Sequence, residues 1–359
     1  MLLNMTGRNL PESRYCFDAF PPYSLMSSEN ENCLYVGFDV GGTSIKAGVI
    51  SDQKQVLDQL TVPTSAESAP PVTLQALQAA TQKWFDQWAD RIQGIGLGTP
   101  GPLNSKSGMI LDPVNMPGWR NFPIKAEVEQ RFGKPVCYAN DANAAAFGEF
   151  WCGKSNRRPS SLLMLTLGTG VGAGIIYEGQ LIVGAVDHAA ECGHIDVEFA
   201  SDARICPCGK PGHLEAYASA TAVADRAAEW AITHPDSLMK KLLDQQGSLT
   251  AFDVYDCAQQ QDPTALALVD STADYLARAI ANLAHTVDPE LVVLGGAMNF
   301  GGAESQTGRR FLKSIDQNVR SRVFSRIADQ IDIEFATLGS AAGWIGAAGL
   351  AKRVYDQAI

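Results

Sequence analysis

Apolar and polar positions change period repeatedly along this chain, and each change marks an element. Leu34 to Asp39 is a β-prone apolar run, and after Gly41-Gly42-Thr43-Ser44 a second such run spans Ile45 to Ile50. That pattern predicts strand, glycine turn, strand. The plan returns at Leu162 to Leu167, a loop over Gly168 to Gly174, and Ile175-Ile176-Tyr177. A repeated plan of this kind implies an internal duplication. It also argues against a dinucleotide-binding unit, which needs a helix directly after the glycine turn, whereas β-branched residues follow here.

Between the copies, strand and helix periods alternate. Helical spacing places Leu74, Leu77, Trp84 and Trp88 on one face of a helix over Val72 to Trp88. Ile92 to Leu97 reads as a strand ending in the stiff loop Gly98-Thr-Pro-Gly-Pro102, and Ile124 to Phe132 as a helix stopped by Gly133 and Pro135. Val136 to Ala139 is a strand that delivers Asn140 and Asp141 ahead of an Ala-rich helix over 142–150. Further helices are expected near 214–230, 263–286, from 303 and from Ala341, with strands at Leu291 to Leu294 and Ile331 to Ala336. Alternation of this sort predicts α/β layers around buried sheets. Residues 1–32 hold three prolines and no apolar period, and read as a flexible N-terminal leader.

Composition narrows the class. A chain of 359 residues is expected to form about two domains, and 46% hydrophobic with 19% charged residues is ordinary for a soluble enzyme. A net charge of −11 disfavours a broad nucleic-acid surface, so no nucleic-acid partner is expected. No signal peptide and no apolar run of about twenty residues is seen, so no membrane partner is expected either. Of eight cysteines, Cys16, Cys33, Cys137, Cys152, Cys192 and Cys257 show no framework spacing and read as reduced thiols of a cytoplasmic protein.

Chemistry concentrates between Glu191 and Glu215. His194, Cys206, Cys208 and His213 form a ligand set suited to structural zinc, tightened by turn residues Gly209, Pro211 and Gly212. Glu191 and Glu215 flank that set, as if pinned to hold a polar substrate. Glycine loops bring backbone N–H groups close to phosphate oxygens. Asp39 in the first loop can hold a hydrated magnesium ion, and Thr43 can donate to a phosphate. Gly168, Thr169 and Gly170 can cradle the polyphosphate, and Gly295-Gly296 the nucleoside. Asp141 is the expected general base for a hydroxyl attacking a phosphoryl group. Capping of the following helix by Asn140 or Asp141 is a compatible alternative role. Glu149, two turns into that helix, reads as a structural hydrogen-bonding residue.

These residues resemble the ROK sugar kinases. The resemblance is carried by Asp39-Val-Gly-Gly-Thr43, Gly98-Thr-Pro-Gly-Pro, Asn115-Met-Pro-Gly-Trp119, Asn140-Asp-Ala-Asn143, Leu167-Gly-Thr-Gly-Val-Gly, Glu191-Cys-Gly-His194 and the knuckle ending in Glu215. It spans roughly residues 34 to 350 in the family's order. It implies a duplicated actin-like (ribonuclease-H-like) ATPase fold with two lobes and a cleft between them. The lobes would comprise 33–139 with 340–359, and 140–339 carrying the knuckle and nucleotide site. It further implies an ATP- and Mg2+-dependent hexose kinase, usually a homodimer. Sugar contacts fall on Asn115, Asn140, Asp141, Glu191, His194 and Glu215, and nucleotide contacts on Asp39, Gly41, Gly42, Thr43 and Lys46 with the later glycines.

One departure is visible: His213 stands where the family's knuckle usually carries a third cysteine. Imidazole is an acceptable zinc ligand, so metal binding is still expected. His194 would then serve both metal and sugar. The pattern looks most like family glucokinases, with fructose, mannose, N-acetylglucosamine or N-acetylmannosamine as alternative substrates and polyphosphate as an alternative donor. A sugar-responsive transcriptional regulator of the same family is the non-enzyme alternative, disfavoured by the short segment before the first strand.

Overall fold

The computed structural model describes residues 33–64, 69–113, 116–155 and 158–358. The expected leader, 1–32, and Asn115 lie outside the described residues.

The first sheet contains β1 (Leu34–Val40), β2 (Ser44–Ser51), β3 (Val56–Pro63), β4 (Ile92–Thr99) and β7 (Val136–Asn140), in the order β3-β2-β1-β4-β7. β5 (Leu103–Asn104) and β6 (Met109–Ile110) form a separate small hairpin. The second sheet contains β8 (Leu162–Leu167), β9 (Val171–Tyr177), β10 (Gln180–Leu181), β11 (Leu291–Gly295) and β12 (Asp332–Phe335), in the order β10-β9-β8-β11-β12. Each sheet pairs its first two strands antiparallel and adds two further strands parallel to the first. The duplication expected from the glycine turns is therefore present in strand order and direction.

Helices α1 (Pro70–Trp88) and α2 (Ile124–Phe132) cover the first sheet. On the second sheet lie α4 (Glu215–Ala218), α5 (Ala220–Thr233), α6 (Leu238–Gln246), α7 (Ala251–Gln259), α8 (Pro263–Val287), α9 (Gln306–Arg320) and α10 (Ser325–Gln330). α3 (Asp141–Cys152) and α11 (Ala342–Ala358) run between the sheets: α11 packs on β1 and β4, and α3 on β8 and β9. Buried Phe147, Met164, Val293 and Leu350 join these layers into one apolar cluster.

Small residues make the α3–α11 crossing possible. A Cβ on Gly346 would fall 1.6 Å from the Ala144 carbonyl oxygen, and one on Gly148 would fall 2.3 Å from the Ala342 carbonyl oxygen. Gly346→Val must therefore push α3 and α11 apart. We expect about 3 kcal/mol or more of lost stability, read as a lower urea midpoint. A parental midpoint would mean that the two helices separate freely.

Three sequence expectations are corrected. β9 begins at Val171, so Gly172 and Gly174 are strand residues and the loop is only 168–170; glycines persist in that strand because α3 crosses it. The helix expected over 214–230 breaks at Ser219, whose hydroxyl accepts Ala222 N–H at 3.0 Å and caps α5. The helix expected from 303 opens as a short 3-10 turn, and α9 starts only at Gln306, capped by Ser305. The strand β3 and helices α6 and α7 were not foreseen. α7 nevertheless carries a readable signal, since Thr250 and Asp253 form a reciprocal capping box.

Candidate active site

The C-terminal ends of strands from both sheets open on one cleft of about 680 Å³. Asp39 (β1), Asp141 (after β7), Thr166 (β8), Leu294 with Gly295 (β11) and Ala336 (after β12) all line it. Ligand sites of open α/β sheets form at such strand ends.

Four carboxylates line this cleft, Asp39, Asp141, Glu191 and Glu215, with Lys46 and His194 as its basic side chains. Asp39 lies opposite Lys46 in the β1–β2 ladder. Burial pushes its carboxyl up to about 6; the charge of Asp141 adds to the rise and Lys46 opposes it. Crowding of like charge makes the cleft a place where a cation is welcome.

Asp141 is the first residue of α3. Burial raises its pKa, hydrogen bonds from backbone N–H groups oppose the rise, and Glu191 adds to it. The capping alternative resolves by atom: Asn140 Oδ1 accepts Ala142 N–H at 2.9 Å and Asn143 N–H at 3.3 Å. Asp141 Oδ1 accepts Ala142 N–H at 2.8 Å. Asn140 does the capping, so Asp141 is held at the helix start without being needed as the cap.

Glu215 opens α4. Its Oε2 accepts Val171 N–H at 2.9 Å, fastening it to the start of β9, and its Oε1 lies 3.8 Å from Cys206 Sγ. Glu149 bridges elsewhere: Oε1 accepts the N–H groups of Thr337 and Leu338 at 2.9 and 2.7 Å, and Oε2 accepts the Thr337 hydroxyl at 3.0 Å. That carboxylate ties α3 to the turn preceding α11, in line with a structural role.

Ligand atoms of His194, Cys206, Cys208 and His213 all lie within 4.8 Å of one another. His194 Nδ1 is 3.6 Å from Cys206 Sγ, and His213 Nδ1 is 3.2 Å from Cys208 Sγ. A tetrahedral zinc with bonds of roughly 2.0 Å to nitrogen and 2.3 Å to sulfur gives edges of about 3.5 Å, so this donor set fits the ion. His213 Nε2 is 3.8 Å from Asp196 Oδ1, the kind of carboxylate that orients a ligating imidazole.

The other expected contacts divide. Gly168, Gly170, Gly295 and Gly296 line the cleft. Gly41, Gly42, Thr43, Thr169 and Asn140 are not among its lining residues. Thr43 is exposed in the β1–β2 turn, and Thr169 gives its carbonyl to the Thr221 hydroxyl at 3.0 Å. Thr166, Asn299, Ser340 and Gly343 line the cleft and were not anticipated. Asn299 had a faint signal, three residues past the Gly295-Gly296 turn; Ser340 and Gly343 had none, because they arrive only with α11.

The family model described as the ROK family matches residues 35–354. The glucokinase of Halalkalibacterium halodurans is 39% identical over 322 residues, which is 89% of this chain and 95% of that one. A ROK hexokinase structure from Thermus thermophilus superposes with a TM-score of 0.75 at 32% identity, covering 90% of this chain and 99% of that chain. A ROK family glucokinase from Streptomyces griseus, solved with glucose and AMPPNP, gives a TM-score of 0.71 at 31% identity, covering 89% and 99%.

Proposed function

The chain belongs to the ROK family, and from that premise we propose that it is an ATP-dependent hexose kinase that phosphorylates the 6-hydroxyl of glucose. One observation carries the reading: Asp141 shares a cleft with the glycine turns 168–170 and 295–296 and with Glu191, His194 and Glu215. The likeness to a glucokinase solved with glucose and AMPPNP supports glucose and ATP as the pair.

Glucose is held by Glu191, His194 and Glu215, with Asn140 and Asn115 as further contacts, because carboxylates and amides accept and donate to vicinal hydroxyls. Asp141 takes the proton of the 6-hydroxyl as its oxygen bonds to the γ-phosphorus. The bond to the bridging oxygen breaks, and ADP departs with that electron pair. Lys46 and the backbone N–H groups of the glycine turns orient the phosphates, with Thr43 and Thr169 at the loops' outer edges. Mg2+, held near Asp39, would supply charge neutralisation on the polyphosphate. A zinc ion on His194, Cys206, Cys208 and His213 would hold Glu215 and His194 in register, a structural service. Closure of 33–139 with 340–359 against 140–339 would exclude water that otherwise hydrolyses ATP.

A cytoplasmic homodimer without nucleic-acid partners completes the proposal. No helix among the described residues is long and apolar enough to cross a membrane.

The experiment is a coupled ADP-release panel with glucose, fructose, mannose, N-acetylglucosamine and N-acetylmannosamine, run with ATP and with polyphosphate. Glucose with ATP should give the highest kcat/KM. Dominance of another sugar or of polyphosphate would overturn the substrate or donor assignment.

A further inference from the structure

One contact joins the two sheet systems at a place the chemistry above does not use. Ser105 lies in the turn of the β5–β6 hairpin, whose Leu103 and Ile110 belong to the core of the first sheet. Asp187 lies in the segment between β10 of the second sheet and Glu191. Ser105 N–H donates to Asp187 Oδ2 at 3.0 Å, and the Ser105 hydroxyl donates to Asp187 Oδ1 at 2.5 Å. Both carboxylate oxygens are thus engaged by one residue, 82 positions away in sequence.

Local contacts shape only part of the segment that Asp187 anchors: Ala189 N–H donates to the Val183 carbonyl at 3.2 Å and His188 Nδ1 lies 2.6 Å from the Val186 carbonyl, while Ala190 goes against its backbone preference. Gly184, Asp187 and Ala190 have φ of 78°, 59° and 65°, and an alanine in the left-handed region is strained by about 1–2 kcal/mol. Val183 and Val186 are exposed, so apolar burial does little to hold the outer part. Ala190, by contrast, packs against the core of the second sheet, one residue before Glu191. The segment is held at its ends by the packing of Ile182 and Ala190, within itself by the Ala189–Val183 and His188–Val186 contacts, and across to the first sheet by the carboxylate of Asp187. Glu191, which lines the cleft, follows four residues after Asp187.

We propose that the Ser105–Asp187 pair is a positioning clasp, which spans from the first sheet's hairpin to the second sheet's loop and fixes Glu191 for the sugar. This rests on the hexose-kinase reading and deepens it. Neither residue touches substrate; each acts through Glu191. A clasp formed equally in ground and transition states contributes uniform binding, so its loss raises the sugar KM and spares kcat. Nucleotide contacts at 168–170 and 295–296 lie on other loops and are untouched.

The test uses the full chain carrying Ser105→Ala, Asp187→Ala, the double substitution and Asp187→Asn. Glucose is varied at saturating ATP and ATP at saturating glucose, with urea midpoints taken in parallel. Loss of hydrogen bonds to a carboxylate should raise the glucose KM by about 5- to 30-fold in Asp187→Ala, while kcat and the ATP KM stay within about twofold of the parent. The double variant should be no worse than Asp187→Ala, because Asp187→Ala already removes both bonds, while Ser105→Ala alone removes only the hydroxyl bond and keeps the backbone N–H donor. Asp187→Asn keeps an acceptor and tolerates the left-handed backbone, and should fall between parent and Asp187→Ala. An unchanged glucose KM, additive losses, or equal rises in both KM values would overturn the clasp. Should the parent phosphorylate no hexose, the kinase reading itself falls, and the clasp with it. An active parent with indifferent variants removes the clasp alone.

Discussion

Asp141→Asn is expected to lower kcat by about 10²–10⁴-fold, the span typical of losing a positioned general base. The amide keeps the size of the side chain and cannot accept the hydroxyl proton. The cap of α3 should survive, because Asn140 supplies it. Stability should move the other way from activity. Burial raises the Asp141 pKa above the usual carboxylate value. A carboxylate whose folded pKa is raised contributes stability below its unfolded pKa, and that contribution is lost as pH rises through the folded value. Above the unfolded aspartate value Asp141 therefore opposes folding, and the asparagine variant should have a urea midpoint at or above the parent's at neutral pH.

The pH–rate profile supplies a second readout of the same residue. An ionised base is required, so kcat/KM should fall as pH drops through the raised Asp141 value, placing the acid limb above the ordinary aspartate range. Asp39, pushed up to about 6, also titrates above that ordinary range and contributes to the acid side of the profile. The residual activity of Asp141→Asn should lose the Asp141 component of that limb. Parental turnover in this variant would remove Asp141 from the mechanism.

The second large effect concerns the knuckle. Complete zinc removal, or Cys206→Ser, should weaken glucose binding by about 10–100-fold, with the ATP KM within about twofold of the parent. The selectivity follows from geometry. His194 joins the ligand set and also lines the cleft, and Cys206 Sγ sits 3.8 Å from Glu215 Oε1. Burial pushes the Cys206 thiol up to about 12, so the metal-free knuckle keeps a neutral thiol that zinc must deprotonate. Glucose affinity measured by calorimetry against zinc content decides the matter. Full sugar affinity in zinc-free protein would end the proposed coupling.

Much of the candidate cleft's lining was legible from the sequence alone. Asp39, Asp141, Glu191, His194, Glu215 and four of the glycines stood out because their chemistry is local: a carboxylate ending a strand, a glycine turn, four ligands within twenty residues. Where reading failed, the cause was a neighbour far away in sequence. Gly172 and Gly174 resemble loop residues by composition, yet they lie in β9, and a Cβ on Gly174 would strike Ala146 of α3. β3, an edge strand with mostly exposed or half-buried positions, lacks the apolar run that announced its partners.

By itself the chain's pattern determined the duplicated strand–turn–strand units, the buried strands and the cluster of Cys, His and acidic side chains, since apolar period, turn chemistry and residue spacing all act over a few residues. Only the tertiary structure decided which strand ends share a cleft, that Thr166, Asn299 and Ser340 join Asp141 there, and that Ser105 reaches Asp187. Those meetings depend on α3 and α11 packing between two sheets, and no short-range preference encodes a contact made across that distance.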